Sequence, residues 1–210
     1  MRRVFMYSLI AGIAIVALLT GCRSTPPAQP AIQPPVKSFK DYPDHAFNPR
    51  EYITGMVKGG HNVLIWQDPS VNLGKYGTVN VTDFNGRLLP LQHVFSYDPF
   101  ISSFNATFKS SLKLSKEESP DALLIEGSVV ECNPGSRAAR AWVGFGAGRS
   151  AGAVVCEVYE PGESRPCVRI YIRDSASGGT FGGNSKAMLN HIFFQVSQRL
   201  TTVLQTRIGG

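Results

Sequence analysis

The sequence of 210 residues contains few cysteines, few charged residues and no Cys-x-x-Cys pair. Charged residues make up 17% and hydrophobic residues 43%, so the chain is too apolar for a disordered protein. Glycine and proline show no G-X-Y period, which excludes collagen. The four histidines, His45, His61, His93 and His191, form no cluster with the four cysteines. We therefore expect neither a structural zinc site nor any other metal or cofactor.

Acidic residues are the scarcer charge, with 15 against 21 basic residues, and such a balance ordinarily suggests nucleic-acid or membrane-surface binding. Four of the six excess positive charges lie in the first 50 residues. From Glu51 onward there are 15 basic and 13 acidic side chains. The overall charge is therefore no argument for a nucleic-acid partner, and we expect none.

A hydrophobic run long enough to span a bilayer is also missing. Arg2 and Arg3 precede the apolar run Val4–Leu19, which at about 16 residues falls short of the roughly 20 that a spanning helix needs. A positive start followed by a short apolar stretch is typical of a secretory signal peptide, which we assign to residues 1–21.

The end of this run resembles the lipobox of bacterial lipoproteins: Leu19-Thr20-Gly21-Cys22. The resemblance implies that the thiol of Cys22 carries acyl chains such as palmitate. Several chains on one residue give stable membrane attachment. The next residue is Arg23 and not the Asp of an inner-membrane retention signal, which implies an outer-membrane lipoprotein facing the periplasm.

Residues 22–50 show no hydrophobic periodicity, and we predict that they form a semi-rigid tether. Seven prolines lie within this stretch: Pro26, Pro27, Pro30, Pro34, Pro35, Pro43 and Pro49. The predicted domains are therefore the signal peptide, residues 1–21, the acylated tether, residues 22–50, and one folded domain, residues 51–210.

The folded domain has the pattern β-β-α-β-β-β-α. Strands are predicted at 62–67, 76–84, 122–132, 153–160 and 165–173. Helices are predicted after Asp98-Pro99 and from Asn184 or Ser185 onward. This order predicts an α+β fold, in which a mixed or antiparallel sheet of about five strands carries two helices on one face.

Three cysteines, Cys132, Cys156 and Cys167, remain if Cys22 is acylated, so at most one disulfide can form within the chain. A two-residue turn at Pro161-Gly162 would place Cys156 opposite Cys167, which makes this pair a candidate disulfide. The pair would occupy a hydrogen-bonded position, where we expect a disulfide to fit less well. The alternative is that these cysteines are small buried hydrophobic residues.

The most unusual segment is Pro134–Gly152, which has five glycines and three arginines and lies in a stretch without acid between Glu131 and Glu157. One interpretation is an anion site for a phosphate, a lipid headgroup or an acidic partner. Another is that the glycines serve backbone packing and the arginines are solvated. The candidate binding loop comprises Arg137, Arg140, Gly144, Gly146, Gly148, Arg149 and Ser150.

The same segment satisfies the G-x-S-x-G pattern of serine hydrolases at Ser150, with Asp174 and His191 following in the order of a catalytic triad. A nucleophile elbow requires a strand before the serine and a helix after it. A predicted strand follows Ser150 instead. We therefore expect no enzymatic activity, with the hydrolase kept as an alternative.

The motif Gly135-Ser136-Arg137-Ala138-Ala139-Arg140, followed by Val143–Ser150 (VGFGAGRS), resembles the signature of a domain-of-unknown-function family of bacterial lipoproteins. The resemblance covers about residues 75–205 and implies an envelope location without an established activity. Its βαββα order is similar to that of TolB-like and curli-secretion lipoproteins, which act through protein contacts. The resemblance therefore implies a non-catalytic interaction or assembly module with an envelope protein as partner.

Overall fold

The computed structural model describes residues 37–91, 95–115, 119–135, 149–177 and 184–209. The compact unit that contains them begins at Lys37. The predicted signal peptide and Cys22 lie outside the described residues, so these two predictions stay predictions. Within the described ranges, no helix is both long and apolar enough to cross a membrane.

Six strands form one mixed sheet in the order β1-β2-β6-β5-β4-β3. Neighbouring strands are antiparallel except β3 and β4, which are parallel. The strands are β1 (Val57–Gly60), β2 (Val63–Gln67), β3 (Val79–Val81), β4 (Leu123–Asn133), β5 (Arg149–Tyr159) and β6 (Val168–Ser177). The α+β class is confirmed, with β1 as a strand that the sequence did not predict and β3 shorter than expected.

Two helices cover one face of the sheet, which we call the helix face. They are α2 (Asp98–Ser111) and α3 (Ser185–Ile208), preceded in the chain by the four-residue helix α1 (Pro49–Tyr52). Asn184 caps α3, because its side-chain oxygen accepts a hydrogen bond from the Ala187 amide at 3.1 Å. Phe100, Phe104 and Phe108 of α2 are buried against the sheet and against α3, as the helical spacing predicts.

The opposite face of the sheet is covered by the segment Lys37–Tyr52, which we call the strap. It contains a 3-10 turn at Phe39–Asp41 and ends with α1. Phe39, Tyr42 and Tyr52 are at most 3% exposed and pack with Leu88, Val130, Ala153 and Val155 in a second hydrophobic cluster. The predicted boundary of the tether at residue 50 is therefore wrong, since aromatic side chains fasten the chain to the sheet from Phe39 onward.

The predicted two-residue hairpin turn is also wrong. Glu163 donates its amide to the Glu160 carbonyl, with Gly162 at φ +76°, so Pro161-Gly162 are the central residues of a type II turn. The primed turns of two-residue hairpins need a positive φ at the first central residue, which the proline ring forbids. The connection runs instead from Glu160 to Cys167, and Cys156 pairs with Ile170.

Candidate functional site

Of the seven residues in the predicted binding loop, the structure describes Arg149 and Ser150. Arg149 is exposed at the first position of β5, and Ser150 follows it. The other five, Arg137, Arg140, Gly144, Gly146 and Gly148, lie outside the described residues.

Gly135 lies against the start of β5, where this loop leaves the sheet. Its φ is +68°, and an added Cβ would come within 2.6 Å of the Arg149 carbonyl carbon. Its amide donates to the side-chain oxygen of Asn133 at 2.9 Å. Both the positive φ and the close approach require glycine, so the base of the loop is a defined structure.

Ser150 does not have the geometry of a hydrolase nucleophile. It lies inside β5, fully buried, and its hydroxyl donates to the Pro134 carbonyl at 2.7 Å. The Asp174 carboxylate accepts from Arg199 at 2.7 Å and from Asn62 at 3.0 Å. The described residues therefore do not support the serine hydrolase alternative.

The cysteines beyond Cys22 are free and buried, so the candidate disulfide between Cys156 and Cys167 is not formed. The strand register explains this, because Val168 is the last residue paired with β5 and Cys167 lies beyond it. Burial raises the pKa of Cys132 to about 12 and that of Cys167 to about 11. Burial also raises the pKa of Cys156. The thiols are thus protonated and act as small hydrophobic residues.

The most specific cluster of polar side chains centres on Glu157, in the middle of the sheet beneath the strap. Glu157 is fully buried. One carboxylate oxygen accepts from the Ser38 hydroxyl at 2.6 Å and the Tyr159 hydroxyl at 2.5 Å. The other accepts from the Phe39 amide at 2.9 Å and the Tyr52 hydroxyl at 3.0 Å. Three of the four donors belong to the strap, so this carboxylate is its main point of attachment.

Arg169 is the buried counter-ion of Glu157. The two residues are paired in the β5–β6 register, and Arg169 Nε lies 3.8 Å from a carboxylate oxygen. The guanidinium donates to the Tyr52 carbonyl and lies 4.3 Å from the centre of the Tyr52 ring. Its Nε has no hydrogen-bond partner among the described residues. The two opposite charges therefore lie close together, but the guanidinium of Arg169 is incompletely hydrogen bonded.

Burial dominates the electrostatics of this cluster. It raises the pKa of Glu157, and the hydrogen bonds from Ser38 and Tyr159 oppose that shift. The pKa of Tyr52 is raised by burial and by the neighbouring Glu157 carboxylate. Because protein atoms surround the carboxylate and no water reaches it, the cluster is suited to holding the strap and not to proton transfer with a substrate.

A second clamp holds the backbone of the strap. Arg87 donates to the Tyr42 carbonyl at 2.8 Å and to the Phe39 carbonyl at 3.0 Å, and it pairs with Asp44 at 3.0 Å. The strap therefore presents amide and hydroxyl donors to Glu157 and carbonyl acceptors to Arg87. Such two-sided polar recognition fixes the position of this segment along the sheet.

None of the predicted site residues belongs to this cluster, although the sequence contains one signal for it. Glu157 interrupts the apolar run AVVCEVY, and Arg169 interrupts VRIYI. A single charge of each sign in two adjacent apolar strands indicates a buried pair. The wrong hairpin register concealed the pairing. Among the described residues, no group of three or more His, Cys, Asp or Glu side chains could hold a metal ion.

Several solved structures resemble this chain, each with low sequence identity and a low TM-score. The PelC dodecamer from Paraburkholderia phytofirmans is 13% identical with a TM-score of 0.40, over 67% of this chain and 96% of that one. A minor lipoprotein from Acinetobacter baumannii is 10% identical with a TM-score of 0.35, over 64% and 95%. Protein XCC0632 from Xanthomonas campestris, of the DUF330 family, is 12% identical with a TM-score of 0.41, over 68% and 91%.

These similarities assign no function to the present chain. No curated protein matches it. The segment from the middle of α2 through β4, β5 and β6 to the start of α3, residues 104–191, matches the family DUF4410, which is described as a domain of unknown function.

Proposed function

We propose that this chain is a lipid-anchored, non-catalytic interaction module of the bacterial cell envelope. Acyl chains on Cys22 attach it to the outer membrane, and the folded domain faces the periplasm. The observation that carries the proposal is the sequence Leu19-Thr20-Gly21-Cys22 behind a short apolar run and ahead of a proline-rich stretch. Between Cys22 and the strap, about 15 residues give a reach of at most about 45 Å in polyproline geometry.

The chemistry of the domain supports a role without catalysis. The Ser150 hydroxyl is buried and bonded to a carbonyl. The thiols of Cys132 and Cys167 are protonated at neutral pH, since burial raises the pKa of each. Glu157 is enclosed by the strap. The most reactive groups in the described part of the chain are thus engaged in holding the fold.

The layout of β5 indicates where a partner would bind. The strap attaches at Glu157 and Tyr159, near the end of β5, whereas the Gly/Arg-rich loop leaves from Arg149 at its beginning. Eight steps of about 3.3 Å separate Arg149 from Glu157, roughly 26 Å. The strap and the loop thus join opposite ends of the central strand. We propose the Arg149 end as the interaction end.

Metabolic labelling with an alkyne-bearing palmitate tests the anchor. We expect the wild type and a Cys132→Ala control to incorporate label and to fractionate with the outer membrane. Cys22→Ala should lose the label and leave the membrane fraction. Arg23→Asp should shift the protein toward the inner membrane in a host that uses this retention signal. Label retained in Cys22→Ala would overturn the proposal.

In-cell photo-crosslinking tests the interaction end. A photoreactive residue at position 149 should capture an envelope protein. A matched probe at Glu163, exposed in the β5–β6 connection at the other end of the strand, should capture much less of it. Equal capture of the same protein at both positions would argue against a defined interaction end.

A second candidate, anion binding, is favoured by the three arginines of the loop and the absence of acid between Glu131 and Glu157. We expect wild-type protein to bind vesicles that contain an anionic phospholipid, and the Arg137→Ala/Arg140→Ala/Arg149→Ala variant to bind them weakly. Arg165→Ala removes an exposed cation at the other end of β5 and is the matched control. Inorganic phosphate competing for the site would point to a free anion, and vesicle binding without such competition to a lipid surface.

A further inference from the structure

We infer that the strap opens and closes as a unit separate from the rest of the domain, acting as a latch that sets the length of the tether and covers the Glu157–Arg169 pair. The opening itself follows from the geometry of the folded domain. The consequence for tether length rests on the proposed function, because it requires the chain to be anchored at Cys22.

The strap depends on the sheet, but the main core does not depend on the strap. Its own secondary structure is one 3-10 turn and a four-residue helix, too short to be stable alone. Its aromatic side chains belong to a small cluster on one face of the sheet. The larger core lies on the helix face, between the sheet and the helices α2 and α3. Removing the strap would leave that larger core covered on both sides.

The chain has a natural hinge where the strap meets the sheet. Gly55 lies between α1 and β1 with φ +79°, and apart from its neighbours in the chain no atom lies within 4 Å of the position that its Cβ would occupy. The next element, β1, is the edge strand of the sheet, and all four of its residues are exposed. Rotation about Gly55 itself is therefore free of side-chain clashes, and the contacts that it breaks nearby are those of Ile53 and Met56, which pack against the second hydrophobic cluster under the strap.

Hydration of the buried pair lowers the free energy of opening. The closed strap keeps one carboxylate and one guanidinium out of water, and Arg169 Nε lacks a hydrogen bond there. Removing two charges from water is costly, and an incompletely bonded pair recovers only part of that cost. Opening restores hydration to both groups. It thus costs less than uncovering an equal area of apolar surface.

Opening has two consequences for an anchored protein. About 20 further residues, the strap and its link to β1, would join the tether, which adds roughly 60 Å of extended chain at about 3.1 Å per residue. The uncovered face presents a carboxylate and a guanidinium side by side among Val155, Tyr159 and Tyr171. That surface is complementary to a segment that offers donors and carbonyls as the strap does.

Native-state hydrogen exchange on the full chain tests the latch. We expect amides of the strap, such as Phe39, to exchange through an opening with a lower free energy and a weaker denaturant dependence than amides of β5 and β6. In Glu157→Gln, Arg169 loses its counter-ion, and strap exchange should accelerate by about tenfold or more while β5 and β6 change far less. Arg87→Met should accelerate strap exchange through the other clamp. Glu131→Gln, which removes an exposed ion pair with Arg173, is the matched control.

The protease Glu-C gives an independent measurement. Glu51 is the first glutamate of the chain and lies in α1, so cleavage there reports opening of the strap. Cleavage at Glu51 should accelerate in Glu157→Gln in parallel with strap exchange. Identical opening free energies for strap and sheet, or an equal effect of Glu157→Gln on both, would overturn the inference. Neither readout depends on acylation, so loss of label in Cys22→Ala tests the anchor separately.

Discussion

The two faces of the sheet are stabilised in different ways. On the helix face, even-numbered residues of β5 such as Val154, Cys156 and Val158 contact apolar side chains of two long helices. On the strap face, Glu157 lies among the odd-numbered residues and is bound through specific hydrogen bonds to a segment with little regular structure. The helix face relies on apolar burial, and the strap face adds recognition of a particular segment.

The two faces should therefore lose stability in different ways. Apolar contacts on the helix face are shared among many residues, so a lost side chain leaves a cavity that the whole domain must accommodate. On the strap face, a lost partner leaves an unpaired charge, which the protein can relieve by releasing the strap to water. Global stability should therefore be more sensitive to the helix face, and local opening to the strap face.

Phe104→Ala should have the largest effect on global stability. Phe104 is 1% exposed, and its ring lies 5.1 Å from Phe84, 5.9 Å from Phe108 and 6.2 Å from Phe193. We expect a loss of about 4 kcal/mol in the free energy of unfolding, measured by denaturant titration. Phe194→Ala, at a position 48% exposed on α3, is the control and should cost about 0.5 kcal/mol or less.

Glu157→Ala should lower the free energy of unfolding of the sheet by about 2 kcal/mol. Breaking a buried ion pair costs roughly 3–5 kcal/mol when the remaining charge cannot reach water. The reason for the smaller loss is that the strap undocks and hydrates Arg169. Denaturant titration followed through the sheet and hydrogen exchange of the strap should give different results for this variant. Glu131→Ala, at an exposed ion pair, should cost about 1 kcal/mol or less. A loss of 4 kcal/mol without strap opening would show that the two faces fail in the same way.

Ser38→Ala should act almost wholly on the strap. Its hydroxyl donates to Glu157 at 2.6 Å and accepts from the Lys40 amide at 3.1 Å. We expect the opening free energy of the strap, measured by hydrogen exchange, to fall by about 1–2 kcal/mol, while the sheet amides keep their protection. Ser38→Thr retains the hydroxyl and should restore most of the difference.

The pH dependence of the free energy of unfolding should distinguish the carboxylate of Glu160 from the buried carboxylate of Glu157. Hydrogen bonds from Tyr76 and Lys75 lower the pKa of Glu160. A lowered pKa in the folded state contributes stability above the unfolded value of about 4.3, and this stability is lost as the pH falls through the folded value.

Tyr76→Phe should therefore destabilise the domain by about 0.5 kcal/mol or less near neutral pH, the smallest effect of the four. The variant and the wild type should converge in acid, when unfolding is measured from pH 7 down to pH 2. Glu157 has the opposite sign, since burial raises its pKa. Its contribution is greatest below the unfolded value and falls as the pH rises through the folded one. A Tyr76→Phe difference that grew in acid would contradict the assignment at Glu160.

Regular periodicity made the helix face predictable, and specific contacts made the strap face unpredictable. The apolar stripe of α3 and the Asn184 cap follow from local sequence, as does the strand that contains Cys156. The strap has prolines and no period, so the pattern indicates a tether. Only the tertiary structure brings Ser38 within 2.6 Å of Glu157, 119 positions away in the chain. The hairpin register failed because Pro161 selects a turn type that the apolar alternation does not report.

The position of the strap also determines how a mechanical load enters the domain. A pull on a chain anchored at Cys22 would reach the protein first at Ser38 and Phe39, which are tied to β5 in the interior of the sheet. While those bonds hold, the force is distributed across neighbouring strands on both sides. Once they yield, the force passes through Gly55 to β1, an edge strand that can separate from β2 one hydrogen bond at a time. In a chain anchored in this way, the strap would yield first and extend the chain before the sheet begins to unzip.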